Sequence, residues 1–115
     1  MNQELKAKWL EALRSGNYQQ GKGSLKVVLP DGPPVFCCLG VLADVMGKTW
    51  TSSNYGGSEQ VLIDTDGGRF TKYLPNSVES DAGLPMSTTQ KHLAMMNDAE
   101  GKTFDQIADY IEANL

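Results

Sequence analysis

From Cys38 onward the chain runs through Leu39, Val41, Leu42, Val45 and Met46, apolar on nearly every side, until it stops at Gly47. A segment with no polar face has to be enclosed by other elements. Everything else in the chain must therefore supply cover for it. The run reads either as a buried helix or as a buried strand that turns into one, and Asp44 with the terminal glycine favours a central helix at residues 38–46. Gly40 costs such a helix about 1 kcal/mol against alanine, so its expected use is to let another element approach closely.

The cover is readable on both sides of this run. Leu5, Trp9, Ala12 and Leu13 recur at helical spacing, with Glu4, Lys6, Lys8, Glu11 and Arg14 mostly opposite, which predicts an amphipathic helix over residues 3–15 with Gly16 as its left-handed cap. Residues 17–23 have loop composition. Ser24 to Leu29 is β-prone, Pro30-Asp31-Gly32-Pro33-Pro34 supplies a turn, and Val35 to Cys37 forms the returning strand of a hairpin. Residues 48–73 are β-rich, interrupted by a polar loop at Ser52 to Ser58 and by the hairpin turn Thr65-Asp66-Gly67-Gly68. A short helix through Val78 to Asp81 follows, with Pro75 near its first turn. Ser87-Thr88-Thr89-Gln90 and Thr103-Phe104-Asp105-Gln106 each place a hydroxyl at an N-cap and glutamine three residues on, so each opens a helix. In the last helix Phe104, Ile107, Ala108, Ile111 and Leu115 form one apolar stripe. With 115 residues, enough for one core and too few for two, the expectation is a single compact α+β domain. Its N- and C-terminal amphipathic helices and central buried helix pack with a small antiparallel sheet.

Charge and cysteine usage narrow the function classes. Ten basic against fourteen acidic residues give a net charge of −4, which opposes adhesion to a phosphate backbone and argues against extended nucleic acid as partner. Met1 to Arg14 mixes charges with apolar residues and does not read as a signal peptide, and no stretch approaches the roughly 20 apolar residues of a membrane span. A cytoplasmic protein is expected. Cys37 and Cys38 are adjacent, a poor geometry for a disulfide, and the single histidine, His92, leaves no zinc set. No metal and no cofactor are expected.

Lys8-Trp9-Leu10-Glu11-Ala12-Leu13-Arg14-Ser15-Gly16 with Tyr18-x-Gln20-Gly21, then Phe36-Cys37-Cys38-Leu39-Gly40-Val41-Leu42, then Met96-Asn97-Asp98 with Phe104-x-x-Ile107-Ala108-x-Tyr110-Ile111, form an ordered series. In these motifs the chain resembles a family of small proteins common in phage genomes and bacterial accessory regions. The resemblance brings no catalytic residue with it. It implies a setting in which small proteins counter host defences by binding a host protein or sequestering a nucleotide signal.

Several groups could carry such binding. Tyr18-Gln19-Gln20-Gly21-Lys22-Gly23 combines glycine-flanked amides, a lysine and an aromatic, groups that can cradle phosphate and stack on a base. Asn97 and Asp98 either bridge two helices or meet the polar edge of a ligand. Trp50, Tyr55, Arg69, Phe70, Lys72 and Tyr73 mix aromatic and cationic groups that suit a nucleotide or a protein. Cys38 at a helix N-terminus would have a lowered pKa if it were a nucleophile, and would otherwise be a small buried hydrophobe. Asp105, Asp109 and Glu112 share a helix face that ordinarily meets water. The leading expectation is a non-enzymatic binder of a small anionic nucleotide-like signal, with Tyr18, Gln20, Lys22 and Asn97 in the site and Arg69 or Lys72 on the phosphate. A module that inhibits a host protein through Trp50, Tyr55 and Tyr73 is the alternative, and a cysteine hydrolase the third. Self-association stays open.

Overall fold

The computed structural model describes residues 1–28, 30–52, 59–63, 68–85 and 87–115. Their order is α1 (Gln3–Arg14), β1 (Gln19–Gln20), β2 (Lys26–Val27), β3 (Val35–Phe36), α2 (Cys38–Val45) and β4 (Trp50–Ser52). There follow β5 (Gln60–Ile63), β6 (Arg69–Phe70), α3 (Asn76–Ala82), α4 (Ser87–Asp98) and α5 (Phe104–Asn114). The α+β class expected from the sequence is the one observed.

The apolar run at 38–46 is the helix α2, and every residue from Cys38 to Ala43 is buried. A Cβ at Gly40 would stand 1.8 Å from the Leu25 carbonyl oxygen, so the chain entering β2 lies directly on the helix there. That contact is a joint as well as a packing site. Leu25 accepts from the Cys37 amide at 3.3 Å and donates its own amide to the Thr71 carbonyl at 2.7 Å. On another side α1 packs against both α2 and α5, and α4 packs against α2 and α5. Trp9, fully buried, donates its indole N–H to the Cys38 carbonyl at 3.0 Å, giving the polar atom of a core aromatic its required partner. Leu93, Ile107 and Ile111 close the same hydrophobic cluster.

The sheet differs from expectation in two ways. The hairpin is present, with Lys26 opposite Phe36 and Val27 opposite Val35, but residues 17–23 are not all loop. Gln19–Gln20 pairs in parallel with Val35–Phe36, and the order β1-β3-β2 makes this sheet mixed. The pairing is closed by the Gly21 amide donating to the Phe36 carbonyl at 2.7 Å, a long-range bond that no local pattern announces. A second, antiparallel sheet runs β4-β5-β6, and an isolated bridge from Val27 to Glu59 joins the two. Of the turn expected at Thr65 to Gly68 only Gly68 is described, and of the loop expected at Ser52 to Ser58 only Ser52; residues 53–58, with Asn54 and Tyr55, and 64–67 lie outside the described residues.

Gly16 and the Thr103–Gln106 pair act at helix ends as expected, Asn2 caps a helix without having been singled out in the sequence, and Gln90 departs from expectation. The Asn2 side chain caps α1 by accepting from the Leu5 amide at 3.0 Å, and Gly16 beyond its end has φ 78°. At α5 the Thr103 hydroxyl accepts from the Gln106 amide while the Gln106 side chain accepts from the Thr103 amide, a complete reciprocal cap. Gln90 does not serve α4 in the expected way. Its side chain is buried, accepts from the Leu74 amide at 2.7 Å and donates to the Leu74 carbonyl at 3.3 Å and to Glu79. The Ser87 side chain lies outside the described residues. Among those described, no helix is long and apolar enough to cross a membrane. The radius of gyration of 13.2 Å matches the roughly 13 Å expected for a folded domain near this length.

Candidate functional site

Where α1 ends, the chain turns past Gly16 and lays Tyr18 against β3, and a groove of about 390 Å3 opens beside it. Asn17, Tyr18, Lys26, Phe36 and Asp44 line it, with Pro33 and Pro34 of the hairpin turn. Such a volume falls within the range of small-molecule clefts, about 300–1,000 Å3. The elements meeting here come from three parts of the chain: the segment after α1, the β2–β3 hairpin and the last turn of α2.

The aromatic rings form a connected series. Tyr18 meets Phe36 edge to face with centroids 5.0 Å apart, and Phe36 meets Trp50 in the same manner at 6.4 Å. Lys26 Nζ stands 5.3 Å from the Phe36 centroid and 5.5 Å from that of Trp50, within the reach of cation–π attraction. Asp44, half-buried at the end of α2, receives the Tyr18 hydroxyl at 2.6 Å on one oxygen and the Trp50 indole N–H at 3.4 Å on the other. Burial, and then the hydrogen bond and charge of Asp44, push the Tyr18 phenol up to about 12. Each cause favours the neutral hydroxyl, because a phenolate would be desolvated and would face a carboxylate. Tyr18 is thereby held as a donor with its ring at the groove.

The six binding residues expected from the sequence are divided by the fold. Tyr18 is in the groove. Asn97 is completely buried and has all its amide capacity filled: its oxygen accepts from Gln20 Nε2 at 2.9 Å and from the Cys38 amide at 3.3 Å. Its nitrogen donates to the Gly21 carbonyl and to Asp98 Oδ1, both at 2.8 Å. Gln20 also donates to the Lys102 carbonyl at 2.8 Å and accepts from the Phe104 amide at 3.1 Å. Together the two amides tie β1, the start of α2 and the α4–α5 turn. Recruiting either to a ligand would break that tie.

The three expected cations do not line the groove. Lys22 is exposed on the turn after β1, next to Gly23, whose amide donates to Asp98 at 3.0 Å. Arg69 is exposed on β6, an edge strand of the second sheet. Lys72, with its Nζ 5.6 Å from the Tyr73 centroid, borders a separate concavity of about 340 Å3 with Lys91 and Met95. Tyr55 lies outside the described residues.

Cys38 is part of the core. It has no exposed surface, its thiol approaches the Leu93 carbonyl at 3.6 Å, and burial pushes its pKa well above the ordinary thiol value. Cys37 is pushed up to about 11 for the same first cause. A nucleophilic cysteine needs the opposite shift. His92 lies elsewhere, its ring 5.0 Å from that of Tyr110. Asp109 and Glu112 are exposed, and both reach Arg14, at 2.9 and 2.6 Å. Among the described residues no group of His, Cys, Asp or Glu side chains is arranged to hold a metal ion.

Lys26, Phe36 and Asp44 are groove residues absent from the site expected from the sequence. A cross-strand register for the hairpin would have set Lys26 opposite Phe36, but Asp44 reaches Tyr18 and Trp50 only through the tertiary fold. Neither the curated proteins nor the solved structures provide a match to this chain. A family model does, over residues 1–115, and the chain belongs to that family, the domain of unknown function DUF8296.

Proposed function

We propose that this chain is a non-enzymatic binding protein that takes a small, ring-bearing, nucleotide-like anion into the groove at Tyr18. In the phage or bacterial-accessory setting implied by its motifs, such a protein withdraws a host immune signal from circulation. The observation that carries the reading is the convergence, in one groove of about 390 Å3, of the Tyr18 and Phe36 rings, the Lys26 ammonium and the Asp44 carboxylate. Rings supply stacking surface, the ammonium meets an anion, and the carboxylate and hydroxyl orient a polar edge. Sequestration is favoured over turnover because Cys38, the nucleophile on which the hydrolase alternative depends, is sealed in the core.

A thermal-shift panel of cyclic dinucleotides, cyclic oligonucleotides and NAD-derived cyclic signals tests the reading. A ligand of the folded state adds about 2.7 kcal/mol at a hundredfold excess over its dissociation constant. The expected result is a shift for at least one class that Lys26→Ala and Tyr18→Ala each reduce. Changes at Lys22, Arg69 and Lys72 should matter less, since none of the three lines the groove. A flat panel refutes the reading and leaves the alternative, a protein-interaction module. That alternative is favoured by one observation, the exposed Met95 beside Tyr73 and Ala94 in the second concavity. It expects Met95→Lys to abolish capture of a protein partner.

A further inference from the structure

The groove holds a cation and an anion that are kept from each other. Among the described residues no ion pair joins Lys26 to Asp44. The lysine stands over two aromatic faces instead, and the carboxylate receives two neutral donors, the Tyr18 hydroxyl and the Trp50 indole. A carboxylate offers about four lone-pair sites, so roughly two remain, and they can only accept. The ammonium can only donate. An occupant that satisfies both carries an acceptor or anion at one end and hydrogen-bond donors at the other, and paired N–H donors on a base edge match the two oxygens of a carboxylate.

Purine bases differ at this point. Guanine presents N1–H and the 2-amino group side by side, two donors that match a carboxylate. Hypoxanthine keeps only the N1–H. Adenine sets a ring nitrogen lone pair next to its amino group, and that lone pair would face the negative charge.

Resting on the binding reading above, we infer that the groove selects guanine nucleotides, with Asp44 accepting from N1–H and the 2-amino group and Lys26 taking the phosphate. Asp44 and Lys26 are then the specificity-determining residues. Tyr18 and Trp50 hold the carboxylate in place, and the Tyr18 ring at the groove offers a surface on which the base stacks. A well-placed pair of hydrogen bonds to a base edge separates right from wrong bases by about ten- to a hundredfold.

The test is calorimetric titration of the whole chain with guanosine, inosine and adenosine 5′-monophosphates and with guanosine. The guanine nucleotide should bind about ten- to a hundredfold more tightly than the adenine one, with inosine monophosphate between them. Removing the phosphate should weaken binding, and Lys26→Met should erase the difference between guanosine monophosphate and guanosine. Asp44→Asn, which replaces one acceptor by a donor, should abolish the preference for guanine over adenine. Equal or tighter binding of adenosine monophosphate to the unaltered chain overturns the inference and leaves the nucleotide-binding reading intact. A phosphate effect that survives Lys26→Met overturns the role of Lys26. Absence of binding by all four compounds overturns the inference, and the broader reading then stands or falls on the panel of cyclic signals. Should Asp44→Asn not fold, the base series on the unaltered chain decides the matter by itself.

Discussion

A Cβ added at Gly40 would lie 1.8 Å from the Leu25 carbonyl oxygen and 2.7 Å from its carbon, atoms of backbone that cannot swing away. Two effects compete in Gly40→Ala. Helix propensity favours alanine by about 1 kcal/mol, whereas forcing extra volume into a packed site costs about 1–3 kcal/mol and often more when backbone must move. The steric effect wins, and urea unfolding should show a net loss of about 2 kcal/mol; a stabilised variant would mean that the close approach does not exist. Tyr18 makes a different prediction, in pH. Its folded pKa of about 12 lies above the ordinary value of 10.0, so the folded state holds this proton more tightly than the unfolded chain does. The corresponding stability is fully present below pH 10 and is lost as pH rises towards 12. Tyr18→Phe should flatten that part of the stability profile, as followed by urea midpoints on either side of pH 10.

Ties between elements decide how the helices and strands are held relative to each other. Asn97→Ala would strip partners from Gln20 Nε2, the Cys38 amide and the Gly21 carbonyl, and each buried polar group left unpaired costs about 1–3 kcal/mol. An expected loss of about 3 kcal/mol in denaturant unfolding contrasts with Thr103→Ala, where removal of an N-cap costs about 1 kcal/mol. Comparable losses for the two would show that the amide network is not what joins β1 to α2 and the α4–α5 turn. The helices were legible in the sequence because their information is local: an apolar stripe, a cap, a terminal glycine. β1 was not, since two residues of Gln-Gln carry no strand signal and become a strand only when Phe36 accepts from Gly21. The same limit applied to Gln90 and Gln106, which stand in similar local patterns, yet only Gln106 turns back on its own helix. In the candidate site Tyr18 was legible as an aromatic in a glycine-flanked segment. Asn97 and Gln20 look like ligand groups in the sequence because polarity in a segment of loop composition is visible, whereas their places in α4 and β1 and their mutual satisfaction are not. Lys26 and Asp44 are neighbours of Tyr18 by folding alone.

One hydrophobic cluster runs from Trp9 to Ile111 and includes both cysteines. Thiol chemistry should therefore report on the fold as a unit. Desolvation pushes Cys37 up to about 11 and Cys38 well above its ordinary value, and the reactive form is the thiolate. At neutral pH a thiol reagent should modify neither residue until the core opens, and the labelling rate should rise with urea in parallel with global unfolding. Rapid modification of Cys38 in the native protein would contradict its burial and revive the hydrolase alternative. The same core also separates the chain's two tryptophans. Trp9 is enclosed, with its N–H tied to the Cys38 carbonyl, while Trp50 is half-buried behind two groove residues, with Lys26 over its ring and Asp44 at its nitrogen. The protein thus carries two intrinsic emission probes in unlike surroundings. A ligand that engaged Lys26 or Asp44 would perturb the light from Trp50 and leave that from Trp9 as an internal standard, whereas loss of the fold would move both.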